Sequence, residues 1–171
     1  MPRMLALAGA LVALALAAGP ASAQQPAGGA QQAAPPPYGP PITLEQAKRV
    51  MAAAELEAAK NSWQVAIAIL DSGGNMVMFH KFDNTQLASI GASEGKANTA
   101  LRFKRPSKAL DDAIAAGGAG LRLLAVKDIT PLEGGLPVML DGKIIGAIGV
   151  SGALSSQDAQ VARAGVAAVV K

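Results

Sequence analysis

EGGLPVMLDGKIIGAIGVSG, residues 133 to 152, is the stretch that decides the fold of this 171-residue chain. Two apolar runs, Val138 to Leu140 and Lys143 to Ser151, flank the pair Asp141-Gly142. That pair favours a type I′ turn, because both central residues of such a turn need a positive φ. The sequence therefore predicts a β-hairpin here. The glycines in its second run would weaken a strand unless a helix, a neighbouring subunit or a ligand approaches the backbone closely.

A second hairpin is predicted upstream. Val65 to Leu70 and Met76 to Phe82 are apolar runs, and Gly73 and Gly74 between them can supply positive φ. Strict alternation gives each face of the second run its own set of side chains. One set is Met76, Met78, His80 and Phe82, and the other is Val77, Phe79 and Lys81. We expect both faces to be largely covered.

Helices are predicted around the two hairpins. Thr43-Leu44-Glu45-Gln46 is a capping box, and the apolar residues after it recur at helical spacing as far as Lys60. The other helices are predicted over Ala88 to Phe103, Ser107 to Ala116 and Ala159 to Val170, the last capped by Ser155 and Asp158, with a short strand near Leu121 to Val126. No βαβ repeat occurs. The predicted fold class is therefore α+β, with a central antiparallel β-sheet flanked by α-helices.

The N-terminal part is predicted to carry a signal and a spacer. Residues 1 to 23 contain Arg3, an apolar core and the cleavage pattern Ala21-Ser22-Ala23, which is typical of a secretory signal peptide. The apolar core is shorter than the roughly 20 residues that a spanning helix needs. Residues 24 to 41 are rich in Pro, Gln and Ala, which predicts a disordered linker. We therefore expect one folded domain over residues 42 to 171, periplasmic or secreted, that does not span the membrane after cleavage.

Composition excludes several classes of function. The 15 basic and 12 acidic residues give a net charge of +3, which is too mild to indicate nucleic-acid binding. There is no cysteine and a single histidine, so neither disulfides nor a zinc site is expected.

Several motifs occur in an order that resembles a known family. They are DSGG at 71 to 74, KANTA at 96 to 100, RPS at 105 to 107, GGLP at 134 to 137, the glycine-rich strand at 146 to 152, QD at 157 and 158, and AG at 164 and 165. Together they resemble the GlcG/HbpS family, the haem-degrading family, which is related to the C-terminal domain of PduO proteins. The resemblance covers residues 42 to 171.

The resemblance implies a profilin-like domain that often forms homo-oligomers. It also implies tetrapyrrole chemistry: a haem-binding protein with weak haem-degrading or redox-sensing activity, and with a membrane-bound sensor as a partner. Two alternatives stay open. One is an enzyme or accessory subunit that acts on a small carboxylate of the hydroxy-acid type, and the other is a structural or signalling oligomer without a cofactor. The sequence does not decide whether the chain is an enzyme.

Four residues are candidates for binding haem. His80 is the only histidine, and a neutral imidazole could ligate the iron axially, with Met76 and Met78 beside the porphyrin. Lys96, Thr99 and Arg102 recur every three residues along one predicted helix. Cations there could pair with haem propionates or with a small carboxylate, and a solvated basic stripe is the alternative.

Carboxylates give weaker signals. Glu133 precedes a Gly-Gly pair that could form an anion-binding nest or could simply turn the chain into the hairpin. Glu133, Asp71 or Glu94 could act as an acid or base, but no paired carboxylates or activated nucleophile stand out. No catalytic residue is assigned from the sequence.

Overall fold

The fold is an antiparallel sheet with helices on both faces. The structure, a computed structural model, describes residues 34 to 169. The predicted signal peptide and the first part of the predicted linker lie outside the described residues. No helix within residues 34 to 169 is long and apolar enough to cross a membrane.

Four strands form the sheet in the order β2-β1-β4-β3. The strands are β1 (Ala66–Asp71), β2 (Met76–Lys81), β3 (Gly135–Leu140) and β4 (Lys143–Ser151). Each hairpin pairs its own strands, and β1 pairs with β4 in the middle, so that all neighbours are antiparallel. Asp141 and Gly142 both have positive φ, as the type I′ turn requires. The predicted α+β class is confirmed.

The α-helices are α1 (Leu44–Lys60), α2 (Ala88–Phe103), α3 (Lys108–Ala115) and α4 (Ser155–Ala167). Three of them, α1, α2 and α4, cover the sheet in two layers. α1 and α4 pack on one face of the sheet, around Ile67, Ile69 and Ile148. α2 packs on the other face, against Ala68 and Ala147. The central strands β1 and β4 are therefore buried on both sides.

The capping box of α1 is formed as predicted. The Thr43 hydroxyl accepts a hydrogen bond from the Gln46 amide at 3.2 Å, and Gln46 Oε1 accepts one from the Thr43 amide at 2.9 Å. Val50, Met51 and Ala54 are buried at the predicted helical spacing.

Two local predictions are wrong. Residues Gly118–Ala125 form a 3-10 helix instead of a strand, and they bury no residue. Leu and Ala make up most of that segment and favour helical turns, and Gly is disfavoured in the pleated surface of a sheet. The N-cap of α4 is Leu154 rather than Ser155, and its amide donates to Gln157 Oε1 at 3.1 Å rather than to Asp158.

β2 also differs from the prediction. The register of β2 against β1 shifts between Ile69 and Leu70, so Met78 lies opposite Ile69 whereas Met76 lies opposite Leu70. This bulge turns Met76 toward the α2 face, while Met78 and His80 face α1 and α4. β2 is an edge strand whose side chains are half-buried or exposed, so its faces are not fully covered.

The chain is already held to the sheet before Ile42. The Ile144 amide donates to the Pro37 carbonyl at 2.9 Å, and the Ile42 amide donates to the Ile145 carbonyl at 2.7 Å. The Tyr38 hydroxyl donates to the Leu101 carbonyl at 2.9 Å. The segment from Pro37 to Ile42 thus pairs with the first residues of β4, although its composition predicts a disordered spacer.

Candidate functional site

Lys96 lies at the centre of a buried polar cluster. Its ammonium group donates to Asp158 Oδ2 at 2.8 Å and to the Val150 carbonyl at 3.0 Å. Both side chains of the ion pair are only 2% exposed. Burial raises the pKa of the Asp158 carboxyl above its ordinary value, although the hydrogen bond and the charge of Lys96 act in the opposite direction. The pair joins α2 to α4 and to the end of β4.

Two glycines of the β3–β4 hairpin, Gly135 and Gly149, explain how Lys96 reaches this position. A Cβ at Gly135 would lie 2.1 Å from the Lys96 carbonyl oxygen, and one at Gly149 would lie 2.0 Å from the Ser93 carbonyl oxygen. The backbone of α2 therefore lies directly against β3 and β4, where no side chain fits. Of the alternatives predicted for the glycines of the second run, a closely packed helix is the one found at Gly149, whereas a Cβ at Gly146 would lie 2.3 Å from the Leu70 carbonyl oxygen of β1.

Ser107 completes this arrangement, which we call the motif cluster: Lys96, Ser107, Gly134, Gly135 and Asp158. The Ser107 hydroxyl donates to the Leu132 carbonyl at 2.6 Å and accepts from the Gly135 amide at 2.9 Å. The cluster thus contains two hydrogen-bonded pairs, Lys96 with Asp158 and Ser107 with Gly135. Their chemistry holds the two hairpin ends and α2 together.

Thr99 and Arg102, the other two predicted site residues of α2, also form hydrogen bonds. The buried Thr99 hydroxyl donates to the Gly95 carbonyl and accepts from the Thr130 amide, both at 2.7 Å. Arg102 is exposed, and its Nη1 donates to the carbonyls of Lys127 and Asp128 at 3.4 and 3.2 Å. Lys96 and Thr99 face the interior while Arg102 faces outward, so the three do not form one cationic stripe.

An open groove runs between α2 and the β1–β2 loop. It consists of two adjoining cavities of about 380 and 580 Å³ that share Gly74, Asn98 and Asp128. Met76, Glu94 and Thr130 lie at one end. Tyr38 and Arg102 lie at the other. The groove mixes apolar and charged side chains and contains no histidine.

His80 lies away from this groove, on the face of β2 that is turned toward α1. Its Nδ1 is 2.5 Å from Glu55 Oε1, and the two side chains are 47% and 36% exposed. No residue from 34 to 169 forms a hydrogen bond with His80 Nε2. A neutral imidazole that donates from Nδ1 keeps the lone pair of Nε2 free for a metal ion. His80 is thus an accessible candidate for a nitrogen ligand, and its ring contacts a carboxylate.

The predicted sites therefore lie in different places. His80 shares its face with Met78 but not with Met76, and the sheet separates it from Lys96, Thr99 and Arg102. The structure does not bring the four predicted cofactor-binding residues together. In the described range, residues 34 to 169, no three histidine, aspartate or glutamate side chains converge to hold a metal ion.

Sequence reasoning missed two partners. Asp158 was expected to cap α4, yet its carboxylate accepts from the Lys96 ammonium and the Ala153 amide. Glu55 gave no signal, because it lies on α1 far from His80 in sequence and belongs to no motif. The sequence did contain a signal for Asp158, since Lys96 lies in the KANTA motif and Asp158 in the QD motif.

Comparison with known proteins identifies the family. Residues 42 to 167 match the family described as "Haem degrading protein HbpS-like". The chain belongs to this HbpS-like family. Protein GlcG of Escherichia coli K12 is 38% identical to it over 110 residues, which are 64% of this chain and 81% of GlcG.

Solved structures agree with the HbpS-like assignment. The crystal structure of HbpS superposes with a TM-score of 0.69 at 32% identity, over 75% of this chain and 90% of HbpS. The crystal structure of the PduOC:Heme complex superposes with a TM-score of 0.69 at 26% identity, over 75% of this chain and 94% of that chain. The HbpS-like fold is shared, and one of these relatives was crystallised with haem.

Proposed function

We propose that this HbpS-like chain is an exported haem-binding protein in which His80 would hold the haem iron through Nε2. The observation that carries the proposal is an exposed histidine that is oriented by Glu55 and keeps Nε2 free. The PduOC:Heme complex supports haem as the ligand class, because that protein shares the fold of this chain and is 26% identical to it.

The residues around His80 fit a haem group. A neutral imidazole is a common axial ligand of haem iron. Met78 and Phe82 are half-buried apolar side chains on the α1 face of the same strand and just after it, and they could contact a porphyrin. Bound haem would supply the redox chemistry of iron, and slow peroxide-dependent degradation or redox sensing would follow from that chemistry.

Arg102 and Lys96 differ in whether they are available to bind a carboxylate group. Arg102 is exposed, but the sheet separates it from His80, so its free donors cannot pair with a propionate of haem held at His80. Lys96 is sealed against Asp158 and Val150, so it cannot act as a clamp for a carboxylate substrate unless the motif cluster opens. The hydroxy-acid alternative therefore depends on Arg102 alone.

A hemin titration tests the proposal. The purified protein should give a saturable Soret band, and His80→Ala should change the spectrum of the complex. The matched variant is Gly91→Leu, because Gly91 lines the groove and a Cβ there meets nothing within 4 Å, so a larger side chain is added to the groove lining without a clash at its Cβ. Gly91→Leu should leave the spectrum unchanged.

Two results would overturn the proposal. A titration without any saturable spectral change would exclude haem binding. A spectrum that is lost in Gly91→Leu but unchanged in His80→Ala would place the haem in the groove and remove the role of His80. A thermal-shift screen with hemin, cobalamin and hydroxy acids would then show which ligand stabilises the native state.

Export is tested separately. Residues 1 to 23 have the pattern of a cleavable signal, so the full chain expressed in a bacterium should be recovered outside the cytoplasm with Gln24 as its first residue. Intact-mass measurement of the recovered protein gives the cleavage site. Uncleaved protein that stays in the cytoplasm would contradict the proposed location.

A further inference from the structure

We infer that Glu55 is a positioning residue for His80 and that it biases the site toward ferric haem. This inference rests on the proposed function. It goes beyond it by naming the oxidation state that the protein favours, and therefore the class of haem protein to which it would belong.

The contact between Glu55 and His80 is held by packed elements. Glu55 lies on α1 between the buried residues Ala54 and Ala58, which pack against the sheet. His80 lies opposite the buried Ile67 in the adjacent strand. Neither residue belongs to a loop, so the positions of their backbones are fixed by the core.

The carboxylate has one partner. Among residues 34 to 169, His80 is the only side chain that forms a hydrogen bond or an ion pair with Glu55. The next acidic residue of α1, Glu57, instead accepts hydrogen bonds from Asn61 and Gln160. The two carboxylates thus bind different partners on the same helix. Only Glu55 contacts His80, the candidate iron ligand.

A carboxylate on Nδ1 has a defined effect on a ligating imidazole. It fixes the tautomer with the proton on Nδ1, sets the plane of the ring, and makes Nε2 more electron-donating. A more strongly donating axial ligand stabilises the more positive oxidation state of iron, and this lowers the reduction potential of the haem. The geometry therefore favours a site that keeps haem ferric, in contrast to a carrier of dioxygen, which needs the ferrous state.

The first experiment uses the protein without haem. His80 is the only histidine, so the side-chain nitrogen signals of histidine-labelled protein report on it without further assignment. At a pH where the ring is neutral, the wild type should show the tautomer protonated on Nδ1. Glu55→Gln should keep much of this preference, because the amide oxygen still accepts, and Glu55→Ala should lose it.

The second experiment measures the haem complex. The reduction potential should rise in the order wild type, Glu55→Gln, Glu55→Ala, and hemin affinity should fall by about 10- to 100-fold in Glu55→Ala, as is typical for removal of an outer partner of a ligating histidine. The matched control is Glu57→Ala, which removes the same charge from the same helix without touching His80. It should change neither the tautomer nor the potential.

The outcomes separate the two proposals. An unbiased tautomer in the wild type without haem would overturn the role of Glu55, whether or not haem binds. A potential that moves equally in Glu55→Ala and Glu57→Ala would show an effect of surface charge and would also overturn it. Absence of a Soret band in the wild type would overturn the proposed function, while the tautomer measurement would still test the contact itself.

Discussion

The ion pairs Lys96–Asp158 and Glu55–His80 both join separate elements of the fold, and they differ in almost every other respect. Lys96 and Asp158 are buried, lie in sequence motifs and are surrounded by further hydrogen bonds. Glu55 and His80 are partly exposed and lie in none of the quoted motifs. The polar groups of the first pair stabilise the fold, whereas the second pair leaves His80 Nε2 free for a ligand. In this chain, the motifs mark the architecture more clearly than the chemistry.

Breaking the buried pair should have the largest effect. Lys96→Met leaves the Asp158 carboxylate without its counter-charge in the interior, and this should cost about 3 to 5 kcal/mol of unfolding free energy. Urea denaturation measures the loss. The double variant Lys96→Met with Asp158→Leu should recover most of it, because an apolar replacement of both partners is often close to neutral. A loss below about 1 kcal/mol in the single variant would show that the pair does not secure the fold.

Breaking the exposed pair should affect the ligand instead. His80→Ala should weaken hemin binding by at least about tenfold, since removing the ligand itself should cost no less than removing its outer partner. Its unfolding free energy should change by less than about 0.5 kcal/mol, as for other surface substitutions. Denaturation and hemin titration of the same preparation give both values. A large loss of stability with unchanged hemin binding would reverse the comparison.

A third carboxylate, Asp71, provides a case between the two. Burial raises its pKa, but hydrogen bonds from the Asn75 side chain and from the amides of Asn75 and Gly73 outweigh burial, and the net pKa is lowered from its ordinary value. The ionised group therefore stabilises the β1–β2 loop at pH values above the ordinary pKa of an aspartate. Its contribution is lost as the pH falls through the lowered pKa.

Asp71→Asn should thus cost about 1 kcal/mol at neutral pH, a value kept small by the partial exposure of the loop. The difference from the wild type should shrink as the solution becomes acidic. Denaturation midpoints of both proteins at a series of pH values measure it. A difference that grows on acidification would contradict the assigned sign of the pKa shift.

The smallest effect distinguishes the outer face of α2 from its inner face. Gly91→Ala places a methyl group in open space and should stabilise the protein by about 0.5 to 1 kcal/mol through helix propensity. Gly95→Ala is the comparison, because its Cβ would lie 2.1 Å from Thr130 Oγ1. It should not be stabilising. Thermal denaturation of the two variants tests this pair, and equal gains would show that Thr130 moves freely.

Much of the fold could be predicted from local signals. The Asp141-Gly142 turn, the Thr43 capping box and the glycines against α2 each depend on residues that are close in sequence or on the size of one side chain. Such signals can be interpreted without knowledge of the tertiary structure.

The candidate site could be predicted only in part. A histidine can be singled out by its chemistry, but its contact with Glu55 depends on how α1 crosses the sheet, which no local pattern records. The bulge that separates Met76 from His80 is a property of the pairing between two strands, so strict alternation failed there. The burial of Lys96 was missed because a lysine in a helix is usually exposed, and Asp158 is distant in sequence.

The segment from Pro37 to Ile42 has a practical consequence for handling this protein. β1 covers β4 only from Gly146 onward, and this segment covers the remaining backbone of Ile144 and Ile145. A shortened chain that begins at residue 42, where the family match starts, would leave that stretch of β4 without its partner. An uncovered strand edge is a template for pairing with other molecules, so such a truncation invites aggregation that the longer chain avoids.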